Sequence, residues 1–355
     1  MRPADVELRE ARPIGAPEPG FGGYPGALLE HVRVSVVVPT YRRPALLVQC
    51  LAALCAQDLA ADDYEIVVCD DGPDDDTRAT VERVAAEQAP RGLAVLYVPV
   101  TATQGPAAAR NAGWRAAHAP LIAFTDDDTQ PDPGWLRAGL AALASTGAQA
   151  AGGRIVVPLG AAPTDYELDA SGLERAEFAT ANVFVQRSAL IEVGGFDERF
   201  TSAWREDSDL HFALLRAGLR VARADDAIVV HPVRPAHWGV SLAQQRKSRF
   251  EALLYRKHGE LYRERIGARP PLLYYGVLAS VVVLVLALAT RHGALAVLAL
   301  AAWLACTAVF CARRLRNTRH DARHVLEMLW TSLWIPFLSI YWRLYGAVSY
   351  RVWFL

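Results

Sequence analysis

VRVSVVVPTYRRP, residues 32–44, decides the fold. Its valine-rich run is apolar at consecutive positions and closes at a proline, which suits a strand buried on both faces of a parallel sheet. PALLVQCLAALCAQ follows with apolar residues at helical spacing, and the alternation then repeats. YEIVVCDDG (64–72), LAVLYVPV (93–100) and LIAFTDDD (121–128) read as strands, with DTRATVERVAAEQ (76–88) and GPAAARNAGWRAAHA (105–119) as helices between them. Strand and helix in strict alternation predict an α/β domain whose ligands sit at the carboxyl ends of the strands. Further on, GGRIVV (152–157) reads as a strand, 158–180 as irregular, 181–196 as strand, turn and short helix, 207–221 as a helix ending at Gly218, and AIVVHPV (227–233) as a strand.

A chain of 355 residues accommodates one sizeable α/β domain plus something smaller. The net charge of −1 gives no basic field for nucleic acid, so none is expected as a partner. The five cysteines have neither CxxC nor zinc spacing and read as packing residues of a reducing compartment. Residues 1–31 are rich in Pro and Gly and lack the pattern of a secretory signal, so they read as a flexible tail before a domain at 32–268.

The smaller part is residues 269–355. Residues 272–290 and 293–311 are two uncharged apolar stretches joined by a short turn, each long enough to cross a bilayer core, which predicts a membrane hairpin over 272–311. Arg263, Arg265 and Arg269 precede it, and Arg313, Arg314, Arg316, Arg319 and Arg323 follow. The positive-inside tendency therefore puts both ends and the N-terminal domain on the cytoplasmic side of a multi-pass membrane protein. A third segment, about 325–346, holds Glu327, Pro336 and Arg343 among aromatics, and reads as interfacial or re-entrant slightly ahead of spanning.

The chemistry gathers at strand ends. In FTDDDTQPDPGWL (124–136) three adjacent carboxylates repel one another unless a cation neutralises them, and hard Mg²⁺ or Mn²⁺ suits such oxygens. Asp126 and Asp128 point to one side if the strand pleat persists. A solvated acidic turn or helix cap is the competing reading. Asp70 and Asp71 end the second strand, Arg110 and Asn111 open the third helix, and Glu206 with Asp207 precedes a later one.

VSVVVPTYRRP, VVCDDGPDDDT, GPAAARNAG, FTDDDTQPDPGWL and WREDSDLHFALLRAG, in that order, resemble glycosyltransferase family 2, whose members are inverting enzymes. The resemblance covers roughly residues 34–235 and implies a GT-A fold, a Rossmann-like nucleotide-binding catalytic domain, here followed by C-terminal membrane helices. It implies a nucleotide-sugar pocket from Pro39, Thr40, Tyr41, Arg42, Asp70, Asp71, Arg110, Asp126 and Asp127. Asp128, Asp126 and His231 would be ligands of Mn²⁺ or Mg²⁺, with His237 the runner-up histidine. Asp207 would be the general base with Glu206 beside it, and Asn182 and Trp204 acceptor-side candidates. Glu206 or Asp209 as a helix cap remains the alternative for that acidic pair. SLAQQRKSRF only loosely resembles the QxxRW segment of processive synthases, so single transfer is expected, to a lipid-linked or polysaccharide acceptor near membrane lipids. A sugar-phosphate nucleotidyltransferase, or a non-catalytic membrane-tethered binding module, is the other reading.

Overall fold

The computed structural model describes residues 31–267 and 271–353; the expected tail, His31 aside, lies outside them, as does Arg269. The chain runs β1 (Val34–Thr40), α1 (Pro44–Cys55), β2 (Tyr64–Asp70), α2 (Asp75–Gln88), β3 (Ala94–Pro99), α3 (Pro106–Ala116), β4 (Leu121–Phe124), β5 (Gln130–Pro131), α4 (Trp135–Thr146) and β6 (Ala150–Val156). It continues with α5 (Asp165–Ala170), β7 (Val183–Gln186), α6 (Arg187–Val193), α7 (Glu206–Arg216), β8 (Val221–Val230), α8 (Val240–Gln244) and α9 (Arg249–Leu261). Three long helices follow, α10 (Leu272–Ala289), α11 (Gly293–Leu315) and α12 (Ala322–Ser349).

All strands join one sheet in the order β3-β2-β1-β4-β7-β6-β8-β5. Every residue of β1 and β2 is buried, as unbroken apolar runs require. The pleat sends Val34, Val36 and Val38 to one face, against Leu47, Leu51 and Leu54 of α1. Val37, Val67 and Cys69 go to the other, against Ala107 and Ala109 of α3 and Leu210 and Leu214 of α7. Gly113 lets α3 lie directly on that face, because a Cβ there would stand 2.4 Å from Val37 Cγ1 and 2.5 Å from Cys69 Sγ. Pro39 sits in a central strand without loss because β4 ends at Phe124, opposite Val37, leaving no β4 partner at Pro39.

Strand direction places the site. β1, β2, β3 and β4 are parallel; β7 runs antiparallel to both β4 and β6, and β6 is parallel to β8. Two reversals restore the direction, so β8 ends at the same sheet edge as β1, β2 and β4. Residues 158–180, expected to be irregular, contain α5, opened by a capping box in which Thr164 and Glu167 satisfy each other's backbone N–H groups.

The five cysteines are free, and all but the half-buried Cys306 are buried. α10, α11 and α12 have 18, 23 and 28 residues and are long and apolar enough to cross a membrane. α10 and α11 leave Val282, Leu286, Val297 and Leu304 exposed, an apolar surface that no described residue covers. α12 continues through Pro336 as a single unbroken helix. It packs directly on α9: a Cβ at Gly346 would lie 2.3 Å from the Arg249 carbonyl oxygen. Arg314 of α11 ties the long helices to the α/β domain through Asp165 (2.7 Å) and Ser241 (3.2 Å), and holds α12 through Thr331 (2.6 Å).

Candidate active site

Asp126, Asp127 and Asp128 lie on a turn rather than on the strand, closed by the Thr129 amide (3.2 Å) and hydroxyl (2.7 Å) donating to the Asp126 carbonyl. The pleat argument therefore does not apply, yet Asp126 and Asp128 still converge because the turn sends Asp127 inward. Fully buried, Asp127 accepts from the Thr40 hydroxyl at 2.7 Å and pairs with Arg43 at 2.9 Å. Burial pushes its carboxyl up to about 6 against the pull of Arg43.

β5 brings the third member. Gln130 pairs antiparallel with Val230, and continuing that register sets His231 opposite Thr129, beside Asp128. Asp126, Asp128 and His231 each offer one ligand atom, and the three atoms lie within 4.8 Å of one another. Each carboxylate commits one oxygen to a guanidinium and keeps another. Asp126 Oδ1 accepts from Arg110 Nη2 at 2.7 Å. Asp128 Oδ2 pairs with Arg234 Nε at 2.9 Å, while its Oδ1 stands 3.7 Å from His231 Nε2. Two carboxylate oxygens and an imidazole fit a divalent ion that accepts both O and N donors. Burial works to raise the Asp126 carboxyl, but Arg110 and then His231 outweigh it and hold it below the usual range. His237, the runner-up, is not in this group; it lines a cavity with Arg319 and Glu327.

The acids at the start of α7 complete the arrangement. Arg205 precedes the helix at φ +74°, a strained conformation for a non-glycine residue, held by its Nε donating to Glu251 Oε1 at 2.8 Å. Trp204 Nε1 donates to the same oxygen at 2.8 Å, and the Tyr262 hydroxyl to Oε2 at 2.7 Å. Glu251 on α9 thus sets the turn that aims Glu206 and Asp207. Glu206 is buried and takes Arg110 Nη1 at 3.1 Å; burial and neighbouring Asp207 push its carboxyl up to about 7. Asp207 is half-buried, with Oδ1 accepting the Ser208 amide at 2.6 Å. Burial raises its pKa, only partly offset by that amide. Neither Glu206 nor Asp209 caps the helix: Asp209 instead takes Lys257 Nζ (2.7 Å) and His258 Nε2 (3.0 Å).

Several expected contact residues are supports. Pro39 is buried inside β1, and Thr40 is committed to Asp127. Asp70 is fully buried, accepting from the Gly72 and Asp74 amides (3.2 Å each) and from the Tyr97 hydroxyl (2.8 Å). Arg110, expected to meet phosphate or base, is 3 % exposed and bridges Asp126 to Glu206. Asn182, expected on the acceptor side, is 1 % exposed: its amide donates to the Arg154 and Ala227 carbonyls (2.9 Å each) around the register shift between β6 and β8, and its oxygen takes Trp135 Nε1 at 2.8 Å.

Open to the cleft edge are Tyr41, whose ring covers Gly72; Arg42, at φ +52° over that ring; half-buried Asp71, which holds the Gly105 amide at 2.7 Å; and Trp204. Gly105, at φ +121°, starts α3 where a side chain would press on the Thr201 backbone. Arg43, Arg234 and Glu251 were missed in the sequence. Only the Arg42–Arg43 pair, with Pro44 opening a helix behind it, carries a local signal, and it does not say which arginine turns inward.

Known proteins share this plan. The family model described as Glycosyl transferase family 2 matches residues 35–196, and that described as Glycosyl transferase family group 2 matches residues 121–313, more than half the chain. Glycosyltransferase AglE of Haloferax volcanii is 29% identical over 213 residues, covering 57% of this chain and 67% of its own. Validoxylamine A glucosyltransferase of Streptomyces hygroscopicus subsp. jinggangensis is 31% identical over 264 residues, covering 62% and 58%. The chain thus spans between about half and two thirds of these relatives. The solved mannosyltransferase PcManGT from Pyrobaculum calidifontis, in complex with GDP-Man and Mn²⁺, superposes with a TM-score of 0.53 at 22% identity over 90% of this chain and 88% of its own, a likeness of fold. With two overlapping family models on a sheet edge of this design, the chain belongs to glycosyltransferase family 2 and has the GT-A fold.

Proposed function

We propose that this protein transfers a sugar, with inversion, from a nucleotide-diphosphate sugar to a lipid-linked or envelope-glycan acceptor by a metal-assisted single displacement. The carrying observation is that Asp126, Asp128 and His231 gather within 4.8 Å at the sheet edge where Asp207 emerges, with Arg110 joining the two acidic groups. Asp126, Asp128 and His231 would hold Mn²⁺ or Mg²⁺, which would supply Lewis-acid neutralisation of charge on a departing nucleoside diphosphate. Tyr41, Arg42 and Asp71 hold the nucleotide at the ends of β1 and β2, where a carboxylate accepts from base or ribose. Asp207 takes the acceptor proton as general base, and its raised pKa suits that task. Glu206 is a poor base because it is buried against Arg110; it positions Arg110, and through it Asp126. Trp204, half outside, offers a ring to acceptor sugar C–H groups.

Membrane attachment belongs to the same reading, with α10 and α11 spanning and the α/β domain on the cytoplasmic side. On α12, Trp330, Trp334, Tyr341 and Tyr345 are exposed and recur at intervals that put them on one stripe along its length. Aromatics spread along a helix rather than gathered at its ends fit one lying in the headgroup zone.

The test is transfer by full-length protein with Mn²⁺ and UDP-, GDP- and dTDP-sugars. Asp128→Ala should lose Mn²⁺-dependent nucleotide stabilisation and turnover; Asp207→Asn should keep the first and lose the second. Full transfer by either variant sinks the assigned roles.

A further inference from the structure

Between α5, the segment after His231 and the α11–α12 junction lies a cavity of about 250 Å³ that none of the steps above uses. Each of its acids has an oxygen committed, Asp165 alone to a cation. Asp165 pairs with Arg314 at 2.7 Å, Glu167 accepts the Thr164 amide at 2.7 Å, and Glu327 accepts the Gly239 amide at 2.7 Å. Its basic walls are freer. Arg323 makes no ion pair among the described residues, and Arg319 pairs only with its exposed neighbour Asp321, at 2.9 Å.

His324 also lines the cavity, is 1 % exposed, and has no hydrogen-bond partner at either ring nitrogen among the described residues. Glu327, at 3.9 Å, is beyond hydrogen-bond reach. A buried imidazole left bare on both sides loses free energy that an oxygen ligand in the cavity would return.

Arg234 and Pro235 line this cavity and also a second one, of about 130 Å³, that has Asp128 in its wall. Arg234 is thus shared by the two cavities, and its Nε is 2.9 Å from Asp128. We infer that the larger cavity holds the phosphate of a lipid-borne acceptor, gripped by Arg319, Arg323 and His324, with the acceptor's reacting end directed past Arg234. Phosphate is the anion a lipid presents at a membrane surface, and guanidinium groups recognise it by charge-assisted hydrogen bonds. The inference rests on the transfer reading above and adds the acceptor's class and its anchoring site.

Full-length protein in phosphatidylcholine nanodiscs is titrated with farnesyl phosphate, farnesol, inorganic phosphate and phosphatidylglycerol, and separately with nucleoside diphosphate plus Mn²⁺. Farnesyl phosphate should bind at least about tenfold more tightly than the other three, and Arg323→Ala and His324→Gln should each weaken it about tenfold while nucleotide binding stays unchanged. Arg323 is exposed, so its variant should fold, and unchanged nucleotide binding checks this. Equal binding of farnesyl phosphate and farnesol, or wild-type affinity in both variants, overturns the inference. Equal binding of phosphatidylglycerol or inorganic phosphate overturns it too, making the occupant an ordinary headgroup or a free ion. If wild-type protein fails to bind nucleotide with Mn²⁺, the transfer reading fails instead.

Discussion

Arg110→Met would separate the two roles an arginine at this position can have. The side chain is 3 % exposed and joins Asp126 (2.7 Å) to Glu206 (3.1 Å), so methionine keeps most of the stem and removes the cation between two acids. Removing one partner of a buried ion pair costs about 3–5 kcal/mol, because the other charge stays buried alone. Asp126 is 26 % exposed at its side chain and recovers some water; Glu206, at 4 %, recovers almost none and must take up a proton. Its pKa is already about 7, so protonation limits the loss to the low end of that range, about 3 kcal/mol at pH 8 and less at pH 6. At about 2.1 cal/mol/K of unfolding entropy per residue, that is a fall in Tm of about 4 °C in a chain of 355 residues. Scanning fluorimetry of full-length protein in detergent at both pH values measures it, and adding Glu206→Gln should restore about half, since one stranded charge is gone. A Tm that does not move, with a raised KM for the donor, would refute the reasoning and return Arg110 to the phosphate contact expected from the sequence.

The folded pKa of Glu206, near 7, lies above its unfolded value, so its contribution is fully present below the unfolded pKa and is lost as pH rises through about 7. Wild-type Tm should therefore fall between about pH 5 and pH 8, and Glu206→Gln should flatten that slope; an unchanged slope counts against the burial argument. Gly113→Ala places a methyl 2.4 Å from Val37 Cγ1 and should destabilise by about 1–3 kcal/mol, read as lowered Tm, while the exposed Gly160→Ala, with nothing within 4 Å, serves as the neutral comparison.

The fold was legible because local signals agreed with one another. Unbroken valine runs marked β1 and β2, helical spacing marked α1, and uncharged stretches marked α10 and α11. What was not legible depends on partners distant in sequence. Asn182 reads as a free polar residue until β6 and β8 are seen to slip register around it, and Asp70 reads as a ligand until Tyr97 and two loop amides claim it. β5, the two-residue strand Gln130–Pro131, is too short to leave any periodicity, yet its pairing with β8 brings His231 to the acids.

The three aspartates show why composition alone understates such a site. A straight strand would put Asp126 and Asp128 on one side by pleat, with Asp127 opposite and free to be anything. The turn does something more specific: it buries Asp127 against Thr40 and Arg43, so the middle acid locks the end of β1 and the start of α1 to the loop that carries its neighbours. Asp126 and Asp128 are then each held by an arginine from a different element, Arg110 of α3 and Arg234 after β8. A cluster that would repel itself in isolation is thereby prearranged, with one oxygen of each outer aspartate anchored and another left to bind. Arg234 also borders both cavities, so the side chain that steadies Asp128 is the one that an acceptor anchored as proposed would pass. On that proposal, metal-ligand geometry and acceptor access would be coupled through this single residue.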